Sequence, residues 1–67
     1  MQVKELLEQA CKTGEYVEIV TERSIYTDAL VFSCGETAVE FSALHPLKEI
    51  EYDFEVDLSK ITAVNFY

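Results

Sequence analysis

The side chains of this 67-residue chain that could do chemistry are two thiols, one imidazole and a row of carboxylates. A nucleophilic thiol needs a base within hydrogen-bond reach. With Cys11 and Cys34 as the cysteines and His45 as the single histidine, Cys34–His45 is the pairing to weigh, but no motif surrounds either residue. A histidine without companion cysteines or paired carboxylates is not a zinc site by spacing. His45, just before Pro46, therefore reads as an exposed loop residue. Cys11 reads as a small buried hydrophobe, and Cys34, beside Gly35 in a turn, as an exposed, mildly reactive thiol. Two cysteines make no disulfide framework and read as reduced thiols of a cytoplasmic protein.

The carboxylates are better organised. Glu49, Glu51, Asp53, Glu55 and Asp57 alternate without interruption against Ile50, Tyr52, Phe54 and Val56. Period two is the signature of an extended strand with one wet and one buried face. Alternate residues would stand about 6.6–6.8 Å apart, giving a charged row of about 27 Å. Such a row can be a solvated face that blocks edge-to-edge aggregation, or a docking surface for a basic protein. Its spacing also permits mimicry of a phosphate backbone. Divalent-cation binding fits poorly, because a calcium cage wants oxygens converging from a tight loop. There is no glycine-rich phosphate loop and no nucleophile elbow. The expectation is a non-enzymatic protein with no metal and no cofactor.

Thirteen acids against five bases set the net charge at −8. This opposes binding to nucleic-acid backbones and anionic lipid, and favours a basic protein surface as partner or plain solubility. Apolar residues make up 49% of the chain, including four Phe and four Tyr, enough for a folded domain. No apolar run approaches the ~20 residues that cross a bilayer. The opening Met-Gln-Val-Lys-Glu-Leu-Leu-Glu has acids where a secretory signal needs an apolar stretch, so a cytoplasmic protein with no membrane partner is expected.

The elements that must position these groups follow from periodicity. Val3, Leu6, Leu7, Ala10 and Cys11 form one apolar helical stripe, predicting a helix over 3–13 that Gly14 ends. Strands are predicted over 15–21, 25–33, 37–44, 49–56 and 61–66, with one 3₁₀ turn before the last. Ala29 to Phe32 is apolar enough to suggest burial on both faces, and Gly35 suits a hairpin position with positive φ. Residues 1–67 form a single domain: mainly β with one N-terminal α-helix, a five-stranded antiparallel small barrel capped by the helix. A core this small, with Ile61, Val64, Phe66 and Tyr67 leaving a sticky last strand, points to a homo-oligomer, dimer or ring.

The order of helix, five strands and a one-turn break resembles the Sm-like group of SH3-type barrels. Leu7-Glu8-Gln9-Ala10-Cys11, Tyr16-Val17-Glu18-Ile19 and Val56-Asp57-Leu58-Ser59-Lys60-Ile61 are most similar to the Rof family, small acidic proteins that bind transcription termination factor Rho. That resemblance implies a role in transcription regulation, with Glu5 and Glu8 as helix positions meeting the partner. The Sm-like resemblance implies an alternative, an oligomeric RNA-binding protein in which Tyr16, Tyr26 and Tyr52 stack on bases. Against it, Arg23, Lys48 and Lys60 are scattered along the sequence. Glu22-Arg23-Ser24 also replaces the Asp-Gly turn usual in Sm-like proteins, and Ser59 stands at an acidic position. The stretch Tyr52–Ile61 also resembles the close of WYL-type barrels, without their ligand-holding arginines; this is a likeness of fold alone.

Overall fold

The computed structural model describes residues 2–44 and 50–67. His45, Pro46, Lys48 and Glu49 lie outside the described residues. The chain is one helix, α1 (Val3–Thr13), followed by β1 (Val17–Thr21), β2 (Ile25–Cys34), β3 (Ala38–Leu44) and β4 (Glu51–Asp57). One 3₁₀ turn (Leu58–Lys60) then leads into β5 (Ile61–Phe66).

The helix forms where its apolar stripe can dock. Leu7 and Ala10 are fully buried, and Val3, Leu6 and Cys11 pack against the same core. Gln2 offers no side-chain cap at the start, so packing rather than capping holds that end. At the other end Gly14 sits at φ 72° and donates its N–H to the Ala10 carbonyl at 2.9 Å. Glycine accepts this left-handed position without a Cβ penalty.

The strands build one antiparallel sheet in the order β4-β3-β2-β1-β5. Four of them are sequential neighbours, and β5 crosses over to pair with β1. The two ends of the order, β4 and β5, share no ladder among the described residues. β2 serves both halves: Ile25, Tyr26 and Ala29 pair with β1, whereas Leu30, Val31, Ser33 and Cys34 pair with β3.

Two irregularities re-aim β2. Between the Val17–Ala29 and Ile19–Tyr26 pairs, Thr27 and Asp28 together face Glu18, and Asp28 adopts φ 51°. Asp tolerates this left-handed region better than most residues. Farther along, Val31 opposes Phe41 and Ser33 opposes Glu40, leaving Phe32 unpaired in a bulge. This corrects the expectation of burial on both faces over Ala29–Phe32. Ala29 and Val31 are buried, whereas Phe32, on the opposite face of the strand, is 50% exposed. Gly35 likewise does not occupy positive φ; it closes its turn by donating N–H to the Ala38 carbonyl at 2.9 Å.

The core joins Leu7 and Ala10 to Val17, Ile19, Ala29, Val31, Val39, Phe41, Ala43, Ile61 and Val64, with no buried polar side chain among the described residues. Phe41 is its largest member and meets two other rings. Tyr26 approaches it edge-on at 5.1 Å, and Phe54 stacks on it at 5.7 Å. The last strand turns Ile61 and Val64 inward and half-buries Phe66. Of the apolar residues expected to leave a sticky edge, Ile61 and Val64 are core, whereas Tyr67 is 70% exposed and β5 ends the strand order. No helix among the described residues is long and apolar enough to cross a membrane.

Candidate functional site

The acidic alternation is extended, as β4. Its register on β3 sets what stands beside each carboxylate. Glu51 faces Leu44, Asp53 faces Ser42, Glu55 faces Glu40, and Asp57 faces Ala38. Phe54 against Phe41 and Val56 against Val39 lie on the opposite, core-side face. Glu51, Asp53, Glu55, Asp57 and Glu40 are all exposed, so the outer surface of β3–β4 carries five carboxylates on two strands. Glu49, which would extend the row, lies outside the described residues.

Glu40 is the member that sequence reasoning missed. Its outward direction is legible from the alternation in 37–44, but its place opposite Glu55 depends on strand register. Like charges directly opposite one another repel, and neither is in an ion pair among the described residues. Lys4–Glu36, at 3.4 Å, is the sole ion pair among the described residues. No group of three His, Cys, Asp or Glu side chains placed to hold a metal ion is found among the described residues.

The inner face of β4 is less covered than a fully buried face would be. Phe54 and Val56 are half-buried, while Ile50 is 54% and Tyr52 36% exposed. The expectation of aromatic residues turned inward thus needs correction at Tyr52, which keeps 36% of its surface exposed in β4, the strand that ends the sheet order.

Glu5 and Glu8 are exposed on α1, which packs against β2 and β5. They are not on the element that carries the β3–β4 row. Glu8 is instead near Cys34. That thiol is partly buried and packs against the core. Burial chiefly, and the Glu8 carboxylate next, push its pKa above the ordinary value of 9.0, with Lys4 opposing. The exposed, reactive thiol expected at Cys34 is therefore corrected to a protonated one of low nucleophilicity. Cys11 is half-buried against the core rather than fully enclosed.

A shallow open groove of about 540 Å³ runs between the β1–β2 turn and the end of β4. Arg23 and Lys60, far apart in sequence, both line it, together with Glu22, Glu55 and Asp57. The two bases share this groove with three carboxylates, so its lining carries no excess of positive charge. Tyr26 and Val56 also line the groove. Tyr26 packs against Phe54 at 4.8 Å as well as Phe41, and Tyr52 lies 6.4 Å from Phe54. Tyr16 stands outside this ring cluster, so the three tyrosines do not form one stacking platform.

Comparison with protein-family models, with curated proteins and with solved structures finds no match to this chain.

Proposed function

We propose that this chain is a small non-catalytic interaction module whose β3–β4 outer face docks on a basic surface of a macromolecular partner. One observation carries the reading. Glu40, Glu51, Asp53, Glu55 and Asp57 share one exposed face, and none of them is neutralised by an ion pair among the described residues. Five carboxylates on one surface, none of them in an ion pair among the described residues, raise the encounter rate with a positive partner and reject negative ones. The resemblance to the Rof family makes Rho, a nucleic-acid-binding protein with basic surfaces to occlude, the partner to test. In that setting Glu5 and Glu8 on α1 are a second contact region, and the module acts in the cytoplasm as a regulator of transcription.

The test is binding of the fluorescently labelled chain to purified Rho by anisotropy, at low and at raised ionic strength. The E51K/D53K/E55K chain should lose binding while keeping its circular dichroism spectrum and melting curve. Binding of the parent chain should weaken steadily with salt. Undiminished binding by the triple variant places the docking face elsewhere, and E5K/E8K then reports whether the helix carries it.

A further inference from the structure

The groove between the β1–β2 turn and the end of β4 holds charges of both signs that do not pair with each other. Arg23 and Lys60 line it with Glu22, Glu55 and Asp57, and none of the five is in an ion pair among the described residues. Its volume, about 540 Å³, lies within the range of small-ligand sites. Hydrogen bonds tie down both walls. In the β1–β2 turn, the Thr21 N–H donates to the Ser24 carbonyl at 2.8 Å and the Ser24 N–H to the Thr21 hydroxyl at 3.1 Å. On the other side, the Leu58 N–H donates to the Thr37 carbonyl at 2.9 Å, fixing the 3₁₀ turn that carries Lys60. Tyr26 and Val56 supply the apolar part of the lining, and the Tyr26 ring is packed by Phe41 at 5.1 Å and Phe54 at 4.8 Å. The strand from Glu51 to Asp57 is about 20 Å long, so the groove opens at the end of β4 remote from its connection to β3.

Opposite charges that share a groove without closing on one another favour a ligand that brings both signs itself. A purely cationic ligand meets repulsion from Arg23 and Lys60, and a purely anionic one meets it from the three carboxylates. A guanidinium suits the acidic and aromatic part, because it donates to carboxylates in a planar fork and packs on an aromatic ring. We propose that the groove is a binding site for a small zwitterion of the arginine class, either the free amino acid or a chain that ends in arginine. The guanidinium sits at Glu55 and Asp57 against Tyr26, and Arg23 and Lys60 take the carboxylate. The site shares Glu55 and Asp57 with the docking face but does not depend on docking.

Amide NMR titrations of the unaltered protein test this with acetyl-Gly-Arg, its C-terminal amide, acetyl-Gly-citrulline and free L-arginine. The net charge of −8 by itself attracts the amide, a cation, more than the neutral acetyl-Gly-Arg. A zwitterion site reverses that order. Acetyl-Gly-Arg should bind about fivefold or more tighter than its amide, the size of one or two exposed ion pairs. Acetyl-Gly-citrulline, which keeps the shape but lacks the positive charge, should be weaker by a similar factor. Shifts should concentrate in residues 21–26 and 55–60. The R23E/K60E chain should switch preference and bind the amide more tightly. Free arginine binding as tightly as the peptide assigns the site to the amino acid, and weaker binding assigns it to a chain end. Equal or tighter binding of the amide by the parent chain overturns the proposal. So does an unchanged preference in folded R23E/K60E, or the absence of localised shifts up to about 10 mM ligand. None of these outcomes bears on the binding of Rho, which the charge-reversal experiment judges separately.

Discussion

The backbone N–H of Asp28 donates to the hydroxyl of Tyr67 at 3.0 Å, tying the bulge at which β2 changes partners to the residue after β5. Asp28 holds φ 51° there, a conformation that costs most non-glycine residues about 1–2 kcal/mol. D28G should match or exceed the parent in stability. D28V should lose about 1–2 kcal/mol, read as a melting temperature lower by roughly 4–8 °C per kcal/mol. Y67F removes the acceptor but leaves an exposed N–H that water can serve, so its loss should stay below about 1 kcal/mol. Hydrogen exchange of the residue 28 amide checks the link: it should be faster in Y67F than in the parent, and an unchanged rate would break it.

Glu40 opposite Glu55 is a repulsive cross-strand pair on an exposed surface. E40Q should stabilise the chain by a few tenths of a kcal/mol, up to about 1 kcal/mol. The gain should shrink as sodium chloride is raised, because salt already screens the repulsion in the parent. Urea titrations at two ionic strengths distinguish this from a simple propensity effect, which salt would leave unchanged.

Phe41 is fully buried between Tyr26 and Phe54. F41A should lose about 3–5 kcal/mol, a large share of the roughly 5 kcal/mol a domain of this size can be expected to hold. F41L, which keeps most of the volume, should lose less than half as much. Urea midpoints for the two variants give the comparison; equal losses would mean that ring contacts rather than volume dominate.

The thiol of Cys34 is held protonated in the fold more firmly than in the unfolded chain. As its pKa is raised by folding, its stabilising contribution is complete below about pH 9. It fades as pH climbs through the higher folded value, because the unfolded state releases its proton first. C34A should lack that alkaline decline, so melting temperatures of parent and variant should converge or cross above about pH 9. Iodoacetamide at pH 8 should also modify Cys34 far more slowly in the native chain than in urea.

The helix and the five strands were legible because each has a clean period. Val3, Leu6, Leu7 and Ala10 repeat at helical spacing, and Ile50 through Asp57 alternates without a break. Positions that depend on neighbours across the sheet were not legible. Glu40 joins the acidic face through its register with Glu55, and Arg23 and Lys60 come to line one groove only in three dimensions. Phe32 looked like core because its composition matches core; it stands on the face opposite Ala29 and Val31, and the sequence does not show that this face is left uncovered. Asp28 carries the left-handed turn expected of Gly35, because β2 must bend where it passes from β1 to β3. Tyr52 follows the alternation faithfully, yet the pattern cannot tell an end strand from a central one.

The crossover of β5 onto β1 has a kinetic consequence. The β2–β3 and β3–β4 ladders join sequence neighbours, but β1 gains its second neighbour through contacts such as Thr62 to Val20, 42 residues apart, and Asn65 to Glu18, 47 apart. Closing so wide a loop is entropically slow relative to zipping a hairpin. The meander of β2, β3 and β4 should therefore assemble early and wait, with Val17 and Ile19 only half enclosed until residues 61–66 arrive. A chain stalled short of that segment would expose β1 as a bare template, making the final six-residue strand the step at which a correct fold and an aggregate part ways.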